Sequence, residues 1–139
     1  LIPGIDGEKM SKSRGNEINI FLADKQLRKQ IMRIETDSKG LDDVKSPYTC
    51  NIFALYKILA SAEDRANMRE NYAAGGYGYG HAKQALYDLI IHKYANQRER
   101  YNHLIAHPAE VELALKIGQE KARDIASKVI QRVRLRLGY

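Results

Sequence analysis

The densest chemistry of this chain lies in five consecutive residues. Lys9, Met10, Ser11, Lys12 and Ser13 set two ammonium groups among small hydroxyls, with Gly4, Gly7 and Gly15 around them. Lysines are compact positive charges on flexible stems, and serine hydroxyls donate and accept hydrogen bonds without crowding. Flanking glycines let the backbone bend and come close to a ligand. Such a loop suits closure on a polyphosphate. When a triphosphate releases pyrophosphate, negative charge builds on its β and γ oxygens. Lysines delivered at that moment stabilise the transition state more than the ground state. In an extended backbone Met10 and Lys12 share one side, and Ser11 and Ser13 the other, so Met10 becomes an apolar anchor. A solvated basic turn is the competing reading of the same residues.

Two further patterns carry polar chemistry. Residues 75–80 contain four glycines with Tyr77 and Tyr79, followed by His81 and Lys83. Backbone N–H groups at a helix start bind anions, and tyrosines stack on unpaired bases. The alternative is a tight connection whose tyrosines cover the helices. Near the end, Lys121, Lys128, Arg132 and Arg136 form a basic stripe diluted by Glu120 and Asp124. It either follows a phosphate backbone or is a solvated face. The four histidines, His81, His92, His103 and His107, show no metal-ligand spacing, and the single Cys50 excludes a thiolate-rich zinc site. The expectation is therefore no metal site, and no serine–histidine–acid arrangement is present.

The elements that position these residues read as helices. The 139 residues suffice for one hydrophobic core, and 44% hydrophobic with 29% charged residues is a soluble globular balance. A net charge of +6 and a pI near 9.4 favour a polyanionic partner. One cysteine excludes an internal disulfide and fits a reducing compartment; Cys50, beside Ile52 and Phe53, reads as buried. No apolar run is long enough to cross a membrane as a helix. The start at Leu1 rather than Met predicts an excised piece of a longer protein. Residues 1–16 are loop-like. Asp24 reads as an N-cap for a helix over 25–34, and Asn51 as the cap of a broadly apolar, central helix. Ser61 reads as the cap of a polar helix over 62–72. A long helix is expected over 81–106, then a last one from Pro108, which Gly118 divides and Gly138 ends. On that helix Ala122, Ile125, Ala126, Val129, Val133 and Leu137 form an apolar stripe. The predicted class is all-α: a helical bundle with an N-terminal catalytic-loop segment.

The order of these features is similar to that of a known family. Lys9-Met10-Ser11-Lys12-Ser13 resembles the lysine–serine signature loop of class I aminoacyl-tRNA synthetases. Pro3-Gly4-Ile5-Asp6-Gly7-Glu8 before it and Gly15-Asn16 after it resemble the bacterial tryptophanyl group. So do Thr36-Asp37-Ser38, Gly76-Tyr77-Gly78-Tyr79-Gly80 with Lys83, and Gly118-Gln119-Glu120-Lys121-Ala122.

The resemblance implies ligation of tryptophan to its tRNA through an adenylate, with ATP and Mg2+ as substrate. It implies Lys9 and Lys12 as catalytic contacts to the ATP phosphates, and Met10, Ser11 and Ser13 as the rest of the phosphate-binding loop. Residues 1–16 become a loop segment of a catalytic domain, and residues 17–139 a helical C-terminal region that binds tRNA at its anticodon. Tyr77, Tyr79 and Lys83 are the tRNA candidates. A cytoplasmic homodimer, paired through a catalytic domain outside this sequence, follows from the same likeness. The sequence contains no nucleotide-binding fold, no partner histidine signature and no tryptophan pocket, so these residues alone are expected to be inactive and to hold no cofactor stably. The corresponding part of the tyrosyl enzyme, a free-standing helical RNA-binding adaptor and a purely structural bundle remain alternatives.

Overall fold

Local signals and tertiary packing agree for most of the helices. A computed structural model describes residues 2–139; Leu1, the first residue of the expected loop segment, lies outside them. Six α-helices follow one another: α1 (Asp24–Met32), α2 (Asn51–Leu59), α3 (Ala62–Ala74), α4 (Tyr79–Lys93), α5 (Ala95–Ala106) and α6 (Pro108–Leu137). Among the described residues there is no β-strand, only an isolated bridge between Pro3 and Lys9. The all-α class predicted from spacing is the class observed. The chain divides into two compact units, Leu1–Arg98 and Glu99–Tyr139, with the boundary inside α5.

In the first unit α1 and α2 both pack on α4. Leu27 and Ile31 of α1, Ile52, Phe53, Leu55 and Tyr56 of α2, and Ala82, Leu86 and Ile90 of α4 are buried. Burying each large side chain contributes about 1.5–3 kcal/mol. The breadth of the apolar face of α2 predicts its central place, and four of its nine residues are buried. Tyr72 of α3 is fully buried, although it sits at the end of a helix that reads as polar. Its ring lies 6.2 Å from Phe53, 6.0 Å from Tyr77 and 6.3 Å from Tyr79. Its hydroxyl meets the buried Cys50 Sγ at 3.3 Å, so the one polar atom of the ring has a partner.

Caps and breaks show where local signals are insufficient. Ser61 caps α3 as predicted, its Oγ accepting from the Asp64 N–H at 3.1 Å. Asp24 is not a cap. Ala23 occupies that position, and the Asp24 carboxylate instead receives the Arg98 guanidinium. Asn51 is the first residue of α2 rather than its cap, and its Nδ2 donates to the Glu35 carbonyl at 3.2 Å. The predicted helix over 81–106 is two helices. It begins earlier, at Tyr79, and breaks at Tyr94, which has φ −108° and ψ 18°. Apolar residues near helical spacing continue across that break, Leu86, Leu89, Ile90 and Tyr94 up to it and Tyr101, Leu104 and Ile105 beyond it, so spacing carries no sign of it.

In the second unit α6 runs unbroken through Gly118, because one interior glycine costs only about 1 kcal/mol. Gly138, at φ 82°, ends it with a left-handed cap. Ile125, Val129, Val133 and Leu137 are exposed, so the apolar stripe of α6 is not buried among the described residues.

Candidate functional site

The lysine–serine loop is fastened from within by one buried amide. Asn16 is only 3% exposed. Its Oδ1 accepts from the Ser11 N–H at 2.7 Å. Its Nδ2 donates to Asp6 Oδ1 at 2.8 Å and to the Lys9 carbonyl at 3.1 Å. Its own carbonyl accepts from the Ile5 N–H at 2.9 Å. One side chain thus joins the segments before, within and after the loop. The hydrogen bond from Asn16 holds the Asp6 carboxyl below the usual carboxylate range, with the Glu8 N–H and Arg14 acting in the same direction.

Two glycines are required by this packing. A Cβ on Gly4 would lie 2.5 Å from Asn16 Cγ. Gly7 has φ +81°, and its Cβ would lie 2.6 Å from Asn51 Oδ1. The Met10 N–H bonds the Ile2 carbonyl at 2.9 Å, and a single 3-10 turn spans Lys12–Arg14. The two serine hydroxyls lie 2.8 Å apart and engage each other. Met10 packs against the core. The Lys9 and Lys12 ammonium groups are exposed and have no hydrogen-bond partner among the described residues. A groove of about 440 Å3 is lined by Met10, Ser11, Lys12, Glu17, Ile18 and Phe21, among others. Chemically, this is a pair of exposed cations, without an ion-pair partner among the described residues, on a backbone whose path is set by half-buried hydrogen bonds.

Tyr77, Tyr79 and Lys83 come together where α3 meets α4, and all three make internal contacts. Tyr77 packs on Tyr72 and lies 5.5 Å from the His81 ring. The Tyr79 hydroxyl donates to Asp37 Oδ1 at 2.7 Å. That bond, with the Lys39 N–H, holds Asp37 below the usual carboxylate range. Burial, then the bond to Asp37, pushes the Tyr79 phenol up. Lys83 Nζ donates to the Met32 carbonyl at 3.0 Å, at a helix end whose carbonyls lack intrahelical partners. Burial lowers the pKa of Lys83.

Sequence reasoning missed two organising residues. Asn16 is the first; its position just after Gly15 was visible, but its burial was not. Lys45 is the second. It is 2% exposed, donates to the carbonyls of Gly40, Leu41 and Asp43 at 2.7, 3.1 and 2.9 Å, and lies 5.4 Å from the centre of the Tyr79 ring. It holds the 37–46 loop in shape beside Tyr79. The basic stripe of Lys121, Lys128, Arg132 and Arg136 is exposed along α6. The histidine spacing predicts no metal-ligand cluster, yet the fold brings His103 and His107 together with Glu110.

Comparison with known proteins takes in the loop and the helices after it. The family described as tRNA synthetases class I (W and Y) matches residues 1–95, nearly the whole of the first unit. The tryptophan–tRNA ligase of Campylobacter jejuni (strain RM1221) is 39% identical over 138 residues, covering 99% of this chain and 43% of that protein. That of Pseudomonas aeruginosa is 42% identical over 137 residues, or 30% of its length. The crystal structure of the Campylobacter jejuni tryptophanyl-tRNA synthetase superposes with a TM-score of 0.96 at 39% identity, over 100% of this chain and 45% of that one. A second crystal structure of that enzyme, with ADP and tryptophan, superposes equally well. This chain spans less than half the length of these relatives. With a matched family over more than half its length, the chain belongs to the class I tRNA synthetases of the tryptophan and tyrosine group.

Proposed function

We propose that residues 1–139 are the C-terminal part of an ATP-dependent tryptophan–tRNA ligase, with the loop of residues 1–16 serving catalysis and residues 17–139 serving tRNA. The observation that carries this reading is the pair of exposed lysines, without hydrogen-bond partners among the described residues, on a loop held by Asn16. In the first step a carboxylate oxygen of tryptophan bonds to the α-phosphorus of magnesium-bound ATP, and the bridging oxygen leaves with pyrophosphate. Lys9 and Lys12 neutralise the charge that grows on the departing β and γ oxygens. Ser11 and Ser13 support the turn that carries Lys12, and Met10 anchors it. A hydroxyl oxygen of the tRNA then bonds to the tryptophanyl carbonyl carbon, and AMP leaves.

The choice of tryptophan rests on relatives that carry that activity in their names and on a related structure holding ADP and tryptophan. The tyrosyl enzyme is the neighbouring reading within the same family. The complete protein works as a cytoplasmic homodimer in this proposal, with the nucleotide fold and the tryptophan pocket in the part that this sequence does not represent. No helix among the described residues is long and apolar enough to cross a membrane. Tyr77, Tyr79 and Lys83 belong to the tRNA-facing side of the first unit, where their internal contacts shape the surface that tRNA meets.

A chimera tests the catalytic claim. The N-terminal part of the Campylobacter jejuni ligase joined to residues 1–139 is expected to show tryptophan-dependent ATP–pyrophosphate exchange, whereas residues 1–139 alone show none. Exchange by residues 1–139 alone, or full exchange in a Lys12→Ala chimera, overturns the assignment. Binding of the tryptophan tRNA and of a tyrosine tRNA across a salt series tests the partner. Stronger binding of the tryptophan tRNA with a steep salt slope is expected, and equal weak binding with a shallow slope points to a structural bundle.

A further inference from the structure

The junction of α5 and α6 assembles a ligand set that the spacing of the histidines does not announce. His103 lies in the last turn of α5, His107 in the one-residue link, and Glu110 in the first turn of α6. One donor atom from each lies within 4.8 Å of the others, and all three residues are exposed. Each is also oriented by a neighbour. His107 Nδ1 lies 2.9 Å from the His103 carbonyl. A carbonyl can only accept, so Nδ1 carries the proton and the Nε2 lone pair of His107 is left free. Imidazoles that bind metals commonly donate their other ring N–H to a carbonyl in this way. Glu110 is held on both oxygens, by His103 Nε2 at 2.6 Å and by Arg100 at 3.3 Å. The two imidazole rings are stacked, 4.3 Å apart and 24° from parallel.

We propose that His103, His107 and Glu110 form a binding site for a divalent first-row transition metal, zinc above all, that ties the end of α5 to the start of α6. Two imidazole nitrogens and one carboxylate are a borderline donor set that suits zinc and leaves a fourth position for water. Zinc bonds of about 2.0–2.1 Å keep tetrahedral ligand atoms roughly 3.3 Å apart. The present donors bracket that spacing, from 2.6 Å to within 4.8 Å. Rotation of exposed side chains is the movement required. The ion replaces the direct His103–Glu110 contact and lies between the two groups. The site needs both histidines unprotonated, so affinity falls as the solution is acidified.

The test uses the tag-free chain and zinc sulfate alone, followed by calorimetry, with cobalt(II) absorption as a second readout. One zinc per chain with micromolar affinity at neutral pH is expected. His107→Ala and Glu110→Gln should each weaken binding at least tenfold, while His92→Ala leaves it unchanged. All three positions are exposed, and circular dichroism verifies that helix content is retained. No binding at 100-fold excess zinc, or unaltered binding by His107→Ala, overturns the site. So does cobalt absorption that persists in the His103→Ala, His107→Ala double variant.

Discussion

Lys12 and Lys45 are both loop lysines near glycines, and the fold treats them in opposite ways. Lys45 is enclosed, and its three ammonium protons reach three backbone carbonyls. Lys12 is exposed and has no hydrogen-bond partner among the described residues, while the backbone around it is fastened by Asn16. A lysine whose charge is satisfied internally stabilises the structure. One whose charge is left unsatisfied on a fixed backbone is available to a ligand. The difference lies in the carbonyls and amides brought near by the chain, since the side chains are identical.

The sharpest way to break this contrast is Lys12→Ala in the chimera. Exchange should fall by two to three decades, about 3–4 kcal/mol of transition-state stabilisation, with Tm unchanged. A lower Tm with exchange retained would reverse the roles of the two lysines. Asn16→Ala should show both effects. The half-buried Ser11 N–H loses its acceptor, at about 1 kcal/mol in denaturant unfolding, and exchange slows because the turn bearing Lys12 loses its fastening. Loss of stability without slower exchange would limit Asn16 to folding.

Lys45→Met should cost about 1–3 kcal/mol in stability, from three carbonyls left without their donor. Its effect on exchange should be much smaller than that of Lys12→Ala, and an equal effect would erase the contrast. Tyr79→Phe should lower Tm less than Lys45→Met and return the Asp37 carboxyl toward its ordinary range, read by NMR titration. The pH effects are the smallest. Asp6 and Asp37 have folded pKa values below their unfolded ones. Their contribution is therefore fully present above the unfolded carboxylate range and is lost as pH falls through the folded values. Asn16→Ala should raise the Asp6 titration midpoint, and an unmoved midpoint would remove Asn16 as the cause.

How much was legible varied with the reach of the interaction. The residue types of the lysine–serine loop were visible because they lie within five residues. Ser61 could be read because a cap acts across three. Asp24 misled, since its carboxylate answers Arg98, 74 residues away. Tyr77, Tyr79 and Lys83 carried two readings in sequence, and their internal partners Tyr72, Asp37 and the Met32 carbonyl could not be read there, because all but Tyr72 lie some forty residues or more away in the chain.

The sequence by itself determined the all-α class, most of the helices and the lysine pair. These follow from periodicity, caps and residue type, which act over one or two helical turns. The tertiary structure alone decided that Asn16 is buried at the centre of the loop, that α4 and α5 part at Tyr94, and that Lys45 is spent internally while Lys12 is not. Each of those outcomes depends on which distant carbonyl, carboxylate or apolar surface meets the residue once the helices pack, and local spacing carries no record of that meeting.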